Sequence, residues 1–155
     1  TAGNKIKALN EMEKLYKCIE YGDFNGALEI VQNSRIKDVE DTLIKAMFET
    51  RSMIPYTIVC HLISHDENAS LHHTASVMLS QPLCIVPGSY QCSLFHLKQA
   101  MRLDPHNIDL KEYFLFFYGN PDKLITIEEA IDMANFILSV DSNNKTALRF
   151  LSEAI

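Results

Sequence analysis

The histidines of this chain are the first residues whose spacing could support chemistry. His61 and His65 stand four residues apart, and His72 and His73 follow soon after. Two histidines one helical turn apart can bind the same metal ion through their ring nitrogens. The intervening residues do not form the H-E-x-x-H pattern, and no cysteine stands at zinc-finger spacing. We therefore predict that no metal is bound and that these histidines lie on helix surfaces and in turns.

A thiol nucleophile is the second possibility. Cys92 and His96 lie one helical turn apart, and a reactive cysteine needs such a base within hydrogen-bonding reach. No thiol-enzyme signature surrounds either residue, so we interpret Cys84 and Cys92 as small, buried, apolar side chains. A metal- or thiol-dependent enzyme that uses the histidine cluster or the Cys92–His96 pair stays open as an alternative.

The remaining cysteines and glycines narrow the chemistry further. None of the four cysteines forms a C-x-x-C motif, and a chain of this size does not need disulfides, which favours reduced thiols in a cytoplasmic protein. The five glycines form none of the motifs G-x-x-x-x-G-K-[ST], G-x-G-x-x-G and G-x-S-x-G. We expect no cofactor and no catalytic residue.

The charge balance is acidic and indicates the kind of partner. The formal net charge is -6, and the lysines and arginines are scattered along the chain. Nucleic-acid binders usually carry a basic stripe, so we predict no nucleic-acid partner. No apolar run approaches the about 18 residues of a membrane-spanning helix, and no signal segment begins the chain, so we expect no membrane contact. An acidic chain favours a basic protein partner.

Hydrophobic periodicity predicts an all-α chain with nine helices in one domain, residues 1–155. Asp23, Asp38, Ser89 and Thr126 are the predicted N-caps, and Thr126 with Glu129 forms a capping box. The expected helices cover 6–21, 24 to about 33, 38–50, 55 to about 64, 69–80, 89–103, 108–118, 126–140 and 144–155.

Two stretches near the C-terminal end repeat one pattern at a spacing of 37 residues. Residues 100–107 and 137–144 each read as an apolar helix end, an acidic residue and a polar turn. Each stretch ends in an asparagine, Asn107 in the first and Asn144 in the second. A fixed period between 20 and 50 residues is typical of a solenoid, so we predict stacked repeats of paired helices.

Read in pairs, the helices resemble tetratricopeptide (TPR) repeats over residues 21–30, 100–107 and 128–148. The resemblance implies an α-α superhelix of helical hairpins, closed by a C-terminal capping helix. The period of 37 exceeds the family's about 34, and the extra residues fall around 121–126.

The resemblance also implies a groove that is lined by the first helix of each pair and receives a segment of a protein partner. The positions that correspond to groove residues in the family are Met12, Tyr16, Glu20, Asp109, Glu112 and Phe116. Tyr113, from the aromatic run 113–118, is a further candidate anchor, because aromatic residues dominate binding hot spots. Some family members clamp a terminal carboxylate with Lys and Asn, which are absent from these positions.

These observations favour a non-catalytic protein–protein interaction module with a basic partner. One specific form is an immunity- or inhibitor-type protein that neutralises a toxin by charge and shape complementarity. A scaffold or assembly subunit of a larger complex is equally compatible with the sequence.

Overall fold

The computed structural model describes the backbone of residues 2–154 and the side chains of residues 7–154. All regular structure in this part of the chain is helical. Residue 155, the expected end of the last helix, lies outside the described residues. Residues 2–154 form nine helices: α1 (Ala2–Tyr21), α2 (Phe24–Gln32), α3 (Ile36–Thr50), α4 (Ile54–His65), α5 (Ala69–Ser80), α6 (Ser89–Leu103), α7 (Ile108–Gly119), α8 (Ile127–Val140) and α9 (Lys145–Ala154).

The helices pack in sequential pairs, and the pairs stack. α1 packs on α2, α3 on α4, α5 on α6 and α7 on α8. The first helix of a pair also packs on the first helix of the next one, as α1 does on α3, α3 on α5 and α7 on α9. Each pair is thus one structural unit that packs against the neighbouring pairs, as the units of helical-repeat proteins do. The predicted all-α superhelical fold is confirmed.

The repeated sequence pattern forms the same turn twice. The amide of Asp104 donates to the carbonyl of Ala100 at 2.9 Å, and the amide of Asp141 donates to the carbonyl of Ile137 at 2.9 Å. Each turn then ends in an asparagine that caps the next helix. Asn107 Oδ1 accepts from the backbone at the start of α7, and Asn144 Oδ1 accepts from the start of α9 at 3.0 Å. The two copies of the sequence pattern therefore have the same backbone turn and the same kind of helix cap.

Two of the four predicted caps are confirmed. Asp23 accepts from the backbone amide of Gly26 at 3.0 Å, after Gly22 has turned the chain with a φ of 75°. Thr126 and Glu129 form the reciprocal capping box, with donor–acceptor distances of 2.8 and 3.2 Å. Both signals were local patterns that only one helix start could satisfy.

The other two predicted caps are wrong. Arg35 is the N-cap of α3, and Asp38 lies in the first turn, where its carboxylate binds the Arg35 guanidinium at 2.8 Å. Gly88 is the N-cap of α6, with a φ of 80°. Ser89 is the first helical residue instead, and its hydroxyl donates to the carbonyl of Leu79 on α5. Because the Ser89 hydroxyl bonds to a carbonyl of another helix, it does not cap α6.

Two hydrophobic clusters form the core, and a polar layer separates them. The buried residues of the first cluster lie on α1 to α5 and on the loop after α5. Those of the second cluster lie on α6 to α9 and include Ile125, in the turn between α7 and α8. Between α5 and α6, the buried facing residues are polar. We call Ser76, Ser93, His72 and His96 the polar seam. Within residues 2–154, no helix combines the length and apolarity required to cross a bilayer.

Candidate functional site

The predicted groove residues lie on α1 and α7, which are the first helices of their pairs. On α1, Tyr16 faces α3, where the Lys45 ammonium lies 5.9 Å from the centre of its ring. A hydrogen bond with Glu49 raises the pKa of the Tyr16 phenol. Met12 is half-buried against the first cluster, and Glu20 is exposed. Of these α1 residues, Tyr16 therefore contacts α3.

The residues predicted on α7 form a second group, which begins where α7 meets α5. The Tyr113 hydroxyl is 2.5 Å from that of Ser80, and its ring meets His73 edge-on at 5.5 Å. Burial lowers the pKa of His73, and the carboxylate of Asp109 partly opposes that shift. Asp109 itself is exposed. Tyr113 is therefore fixed by its neighbours on α5.

Aromatic rings continue from Tyr113 towards the surface. The rings of Tyr113 and Phe116 stack at 5.7 Å between centres and 6° between planes. Tyr90 of α6 lies 6.3 Å from Phe116 on another side. Phe116 nevertheless remains 37% exposed, so that its outer face is open to a ligand.

An open groove of about 520 Å³ lies between α7 and α9, and we call it the α7–α9 groove. Its apolar part contains Phe116 and the edge-on pair Tyr118 and Phe150, whose ring centres are 5.6 Å apart. Three charged side chains, those of Glu112, Arg149 and Glu153, also line it. The lining residues are Glu112, Leu115, Phe116, Tyr118, Gly119, Thr146, Arg149, Phe150, Glu153 and Ala154.

Glu112 holds the two walls of this groove together. One of its carboxylate oxygens accepts from the side-chain amide of Asn144, and the other accepts from the Thr146 hydroxyl at 2.8 Å. Because both carboxylate oxygens already accept hydrogen bonds within the protein, the main role of Glu112 is to hold the start of α9 against α7. Arg149 and Glu153 are exposed, and neither is in an ion pair with another described side chain.

Only the α7 wall of this groove, with Glu112 and Phe116, was predicted from the sequence. We expected α9 only to cap the array. Arg149, Phe150 and Glu153 are the missed residues. Together with Thr146 they recur at helical spacing, so the periodicity of α9 already indicated that these residues share one face of the helix.

The histidines predicted as one cluster are divided among three places. The ring centres of His61 and His65 lie 4.3 Å apart near the end of α4, with the ring planes tilted by 44°, and His65 is exposed as expected. His73 joins Tyr113. His72 is only 4% exposed and pairs with His96, so its predicted surface position is wrong. No three His, Cys, Asp or Glu side chains within the described residues converge as metal ligands would.

The predicted burial of the cysteines is also wrong in part. Cys92 is exposed, because its position on α6 faces away from both hydrophobic clusters, and Cys84 is half-buried in the loop. All four cysteines are free thiols. Burial raises the pKa of Cys60 and of Cys18, which keeps both thiols protonated. His96 Nε2 contacts the hydroxyl of Tyr56 at 3.1 Å.

The fold and this groove define a class: an all-α array of stacked helical pairs, compatible with a helical repeat. No family model matches the chain, and no curated protein or solved structure does either.

Proposed function

We propose that the protein is a non-catalytic interaction module with TPR-like architecture, which holds a basic segment of a protein partner in the α7–α9 groove. The observation that carries the proposal is the groove itself, an open cleft between α7 and α9 with one exposed ring, Phe116, and two half-buried rings, Tyr118 and Phe150. The free thiols suit a cytoplasmic protein, and we include that compartment in the proposal.

The chemistry of the groove suits the side chains of lysine and arginine. Their aliphatic stems can pack on Phe116 and Phe150, and aromatic ring faces attract their cationic ends. The Glu153 carboxylate on the same wall can pair with such a cation, and the net charge of -6 draws a basic segment towards the molecule. Arg149 repels a cation beside it, so the segment has to place its charge on the Glu153 side.

Peptide binding tests this proposal directly. The probes are a peptide that alternates Arg with Leu and a peptide of equal length that alternates Glu with Leu. We expect the basic peptide to bind and the acidic one to bind at least about tenfold more weakly, a difference of about 1.4 kcal/mol in isothermal titration calorimetry. Equal affinities for the two peptides would show that the groove does not select a basic segment.

Matched variants locate the binding site. Phe116→Ser removes a groove ring, and Phe48→Ser removes a similarly exposed ring on α3. We expect about tenfold weaker binding for the first variant and no change for the second, because hot-spot aromatics contribute most of the affinity. Glu153→Gln should weaken binding by no more than about fivefold, as expected for an exposed ion pair. The same loss in both Phe variants would place the peptide elsewhere.

Two forms of this module differ in what binding does to the partner. An immunity- or inhibitor-type protein abolishes the activity of a toxin that it covers, whereas a scaffold or assembly subunit leaves its partner active. Assay of the partner with and without this protein separates the two forms. We do not propose the enzymatic alternative, because its four histidines lie in three different places and because both ring nitrogens of His96, the base that Cys92 would need, contact Tyr56 and His72.

A further inference from the structure

An unbroken chain of hydrogen-bonded side chains crosses α4, α5 and α6. The Tyr56 hydroxyl lies 3.1 Å from His96 Nε2, and His96 Nδ1 lies 2.9 Å from His72 Nδ1. His72 Nε2 lies 3.0 Å from a carboxylate oxygen of Glu67, which also accepts from Arg102 at 3.0 Å. The two imidazoles are 8% and 4% exposed, so water does not compete for these contacts.

The partners at the two ends determine where the protons lie at neutral pH. A carboxylate accepts only, so His72 Nε2 must carry a proton that it donates to Glu67. A neutral His72 then has a bare Nδ1, which accepts from His96 Nδ1–H. His96 Nε2 is therefore bare in turn and accepts from the Tyr56 hydroxyl. Every polar atom along the chain is satisfied with each imidazole neutral.

One additional proton still fits this arrangement. If His96 Nε2 becomes protonated, the Tyr56 hydroxyl can rotate and accept in place of donating. The two Nδ1 atoms continue to share a single proton between them. A second additional proton has no such solution, because it places two N–H groups and two positive charges face to face at 2.9 Å.

We propose that the His72–His96 pair is an acid-sensitive latch, which holds α5 on α6 while the two Nδ1 atoms share one proton and opens when each of them carries one. The pair joins α5, which belongs to the first hydrophobic cluster, to α6, which belongs to the second. Opening therefore loosens α5 from α6 at the histidine end of the seam, while the serine contacts between the two helices remain.

The groups that surround the pair support this behaviour. Burial, together with the charge of His72, lowers the pKa of His96 to about 4. On α4, Tyr56 and the nearby Cys60 stay neutral, because burial raises the pKa of each. Cys92 faces Tyr56 from α6. Glu67 is the one carboxylate in the chain of contacts, and Arg102 already neutralises it, so it cannot offset a second positive charge.

The remaining contacts of the polar seam do not respond to pH. The hydroxyls of Ser76 and Ser93 lie 2.9 Å apart, and Ser93 donates to the backbone carbonyl of Ser76 at 2.7 Å. Neither group titrates in the accessible range. The histidine pair is thus the element of the seam that acid can change.

Nuclear magnetic resonance of the imidazole nitrogens in the wild-type protein tests the proton assignment. At neutral pH we expect His96 to be neutral with its proton on Nδ1, and His72 to carry its proton on Nε2. We expect His96 to titrate at least about one pH unit below the about 6.5 of a free histidine. A His96 that titrates at the free value, or that carries its proton on Nε2 at neutral pH, overturns the proposal.

Hydrogen exchange at the α5 and α6 amides, corrected for intrinsic rates, tests the opening. We expect the wild-type protein to lose protection there as the pH falls towards 4, by up to about tenfold per pH unit for each of the two protons that the open form takes up. His96→Gln should keep its protection, whereas His65→Gln, which changes an exposed histidine outside the chain of contacts, should behave as wild type. Equal loss in the His96→Gln variant contradicts the latch. Should that variant not fold, the wild-type titration decides alone. Stoichiometric zinc that shifts both imidazoles at neutral pH would replace the latch with a metal site.

Discussion

The polar seam and the α7–α9 groove are both contacts between helices, but they distribute polar and apolar side chains in opposite ways. In the seam, polar groups are buried and each has a partner on the facing helix. In the groove, aromatic rings remain open while the Glu112 carboxylate is used to tie the walls together. Buried polar groups must be satisfied, so the seam fixes one register between α5 and α6. Open rings leave apolar surface that a ligand can still cover, so the groove retains free energy for binding.

The largest expected effect comes from two adjacent rings on α7. Phe117 is fully buried, whereas Phe116, the residue before it in the chain, lines the groove and is 37% exposed. We expect Phe117→Ala to cost about 3–5 kcal/mol of unfolding free energy, because it leaves a cavity. Phe116→Ala should cost about 1 kcal/mol or less, since less of its surface is buried. Urea denaturation measures both. Similar losses would mean that the groove ring belongs to the core, and the contrast between groove and core would fail.

The second effect concerns pH and belongs to the seam alone. The pKa of His96 is about 4 in the folded protein, whereas an unfolded histidine has a pKa of about 6.5. Between these values the unfolded chain binds a proton that the folded protein does not, so stability falls as the pH falls. The loss is on the order of 3 kcal/mol at its limit. Burial lowers the pKa of His73 as well, which acts in the same direction.

Denaturation at neutral pH and near pH 4 checks that loss. Carboxylates also titrate in this range, so the difference between variants is the decisive quantity. Phe116→Ser, which alters the groove, should follow the wild-type pH dependence. His96→Gln should flatten it. Parallel curves for both variants would assign the pH dependence to groups outside the seam.

The smallest effect compares the two copies of the repeated turn. Asn107→Ala and Asn144→Ala each remove a helix cap, which costs about 1 kcal/mol. Asn107 also donates to Asp104 within its own turn at 2.9 Å, whereas the buried Asn144 donates to Glu112 on another helix, so Asn144→Ala should cost up to about 1 kcal/mol more. Thermal or urea denaturation of the two variants gives the difference. Equal costs would show that the tie between α7 and α9 contributes nothing to stability.

The sequence predicted the features that depend on neighbours along the chain. The capping box of Thr126 and the cap of Asp23 follow from local spacing alone. The turns before α7 and α9 follow from a pattern that occurs twice. At the start of α3 and of α6, by contrast, several nearby residues were compatible with a helix start, and the interaction with Arg35 or Leu79 decided between them.

The seam could not be predicted, because it depends on the register between two helices. His72 and His96 are 24 residues apart, and nothing local to either indicates that the two rings meet. The groove was predicted in part. One wall came from the resemblance to TPR repeats, whereas Arg149, Phe150 and Glu153 could be recognised as lining residues only from the position of α9 beside α7.

Asn144 connects the starting point of a helix to the shape of a cleft. It begins α9 through one atom of its side chain and binds Glu112 through another. If α9 began one residue later, its side chains would turn by about 100° and advance by about 1.5 Å. Phe150 and Glu153 would then face a different direction, and the opening would lose its second side. A single amide thus determines what the cleft presents to whatever enters it.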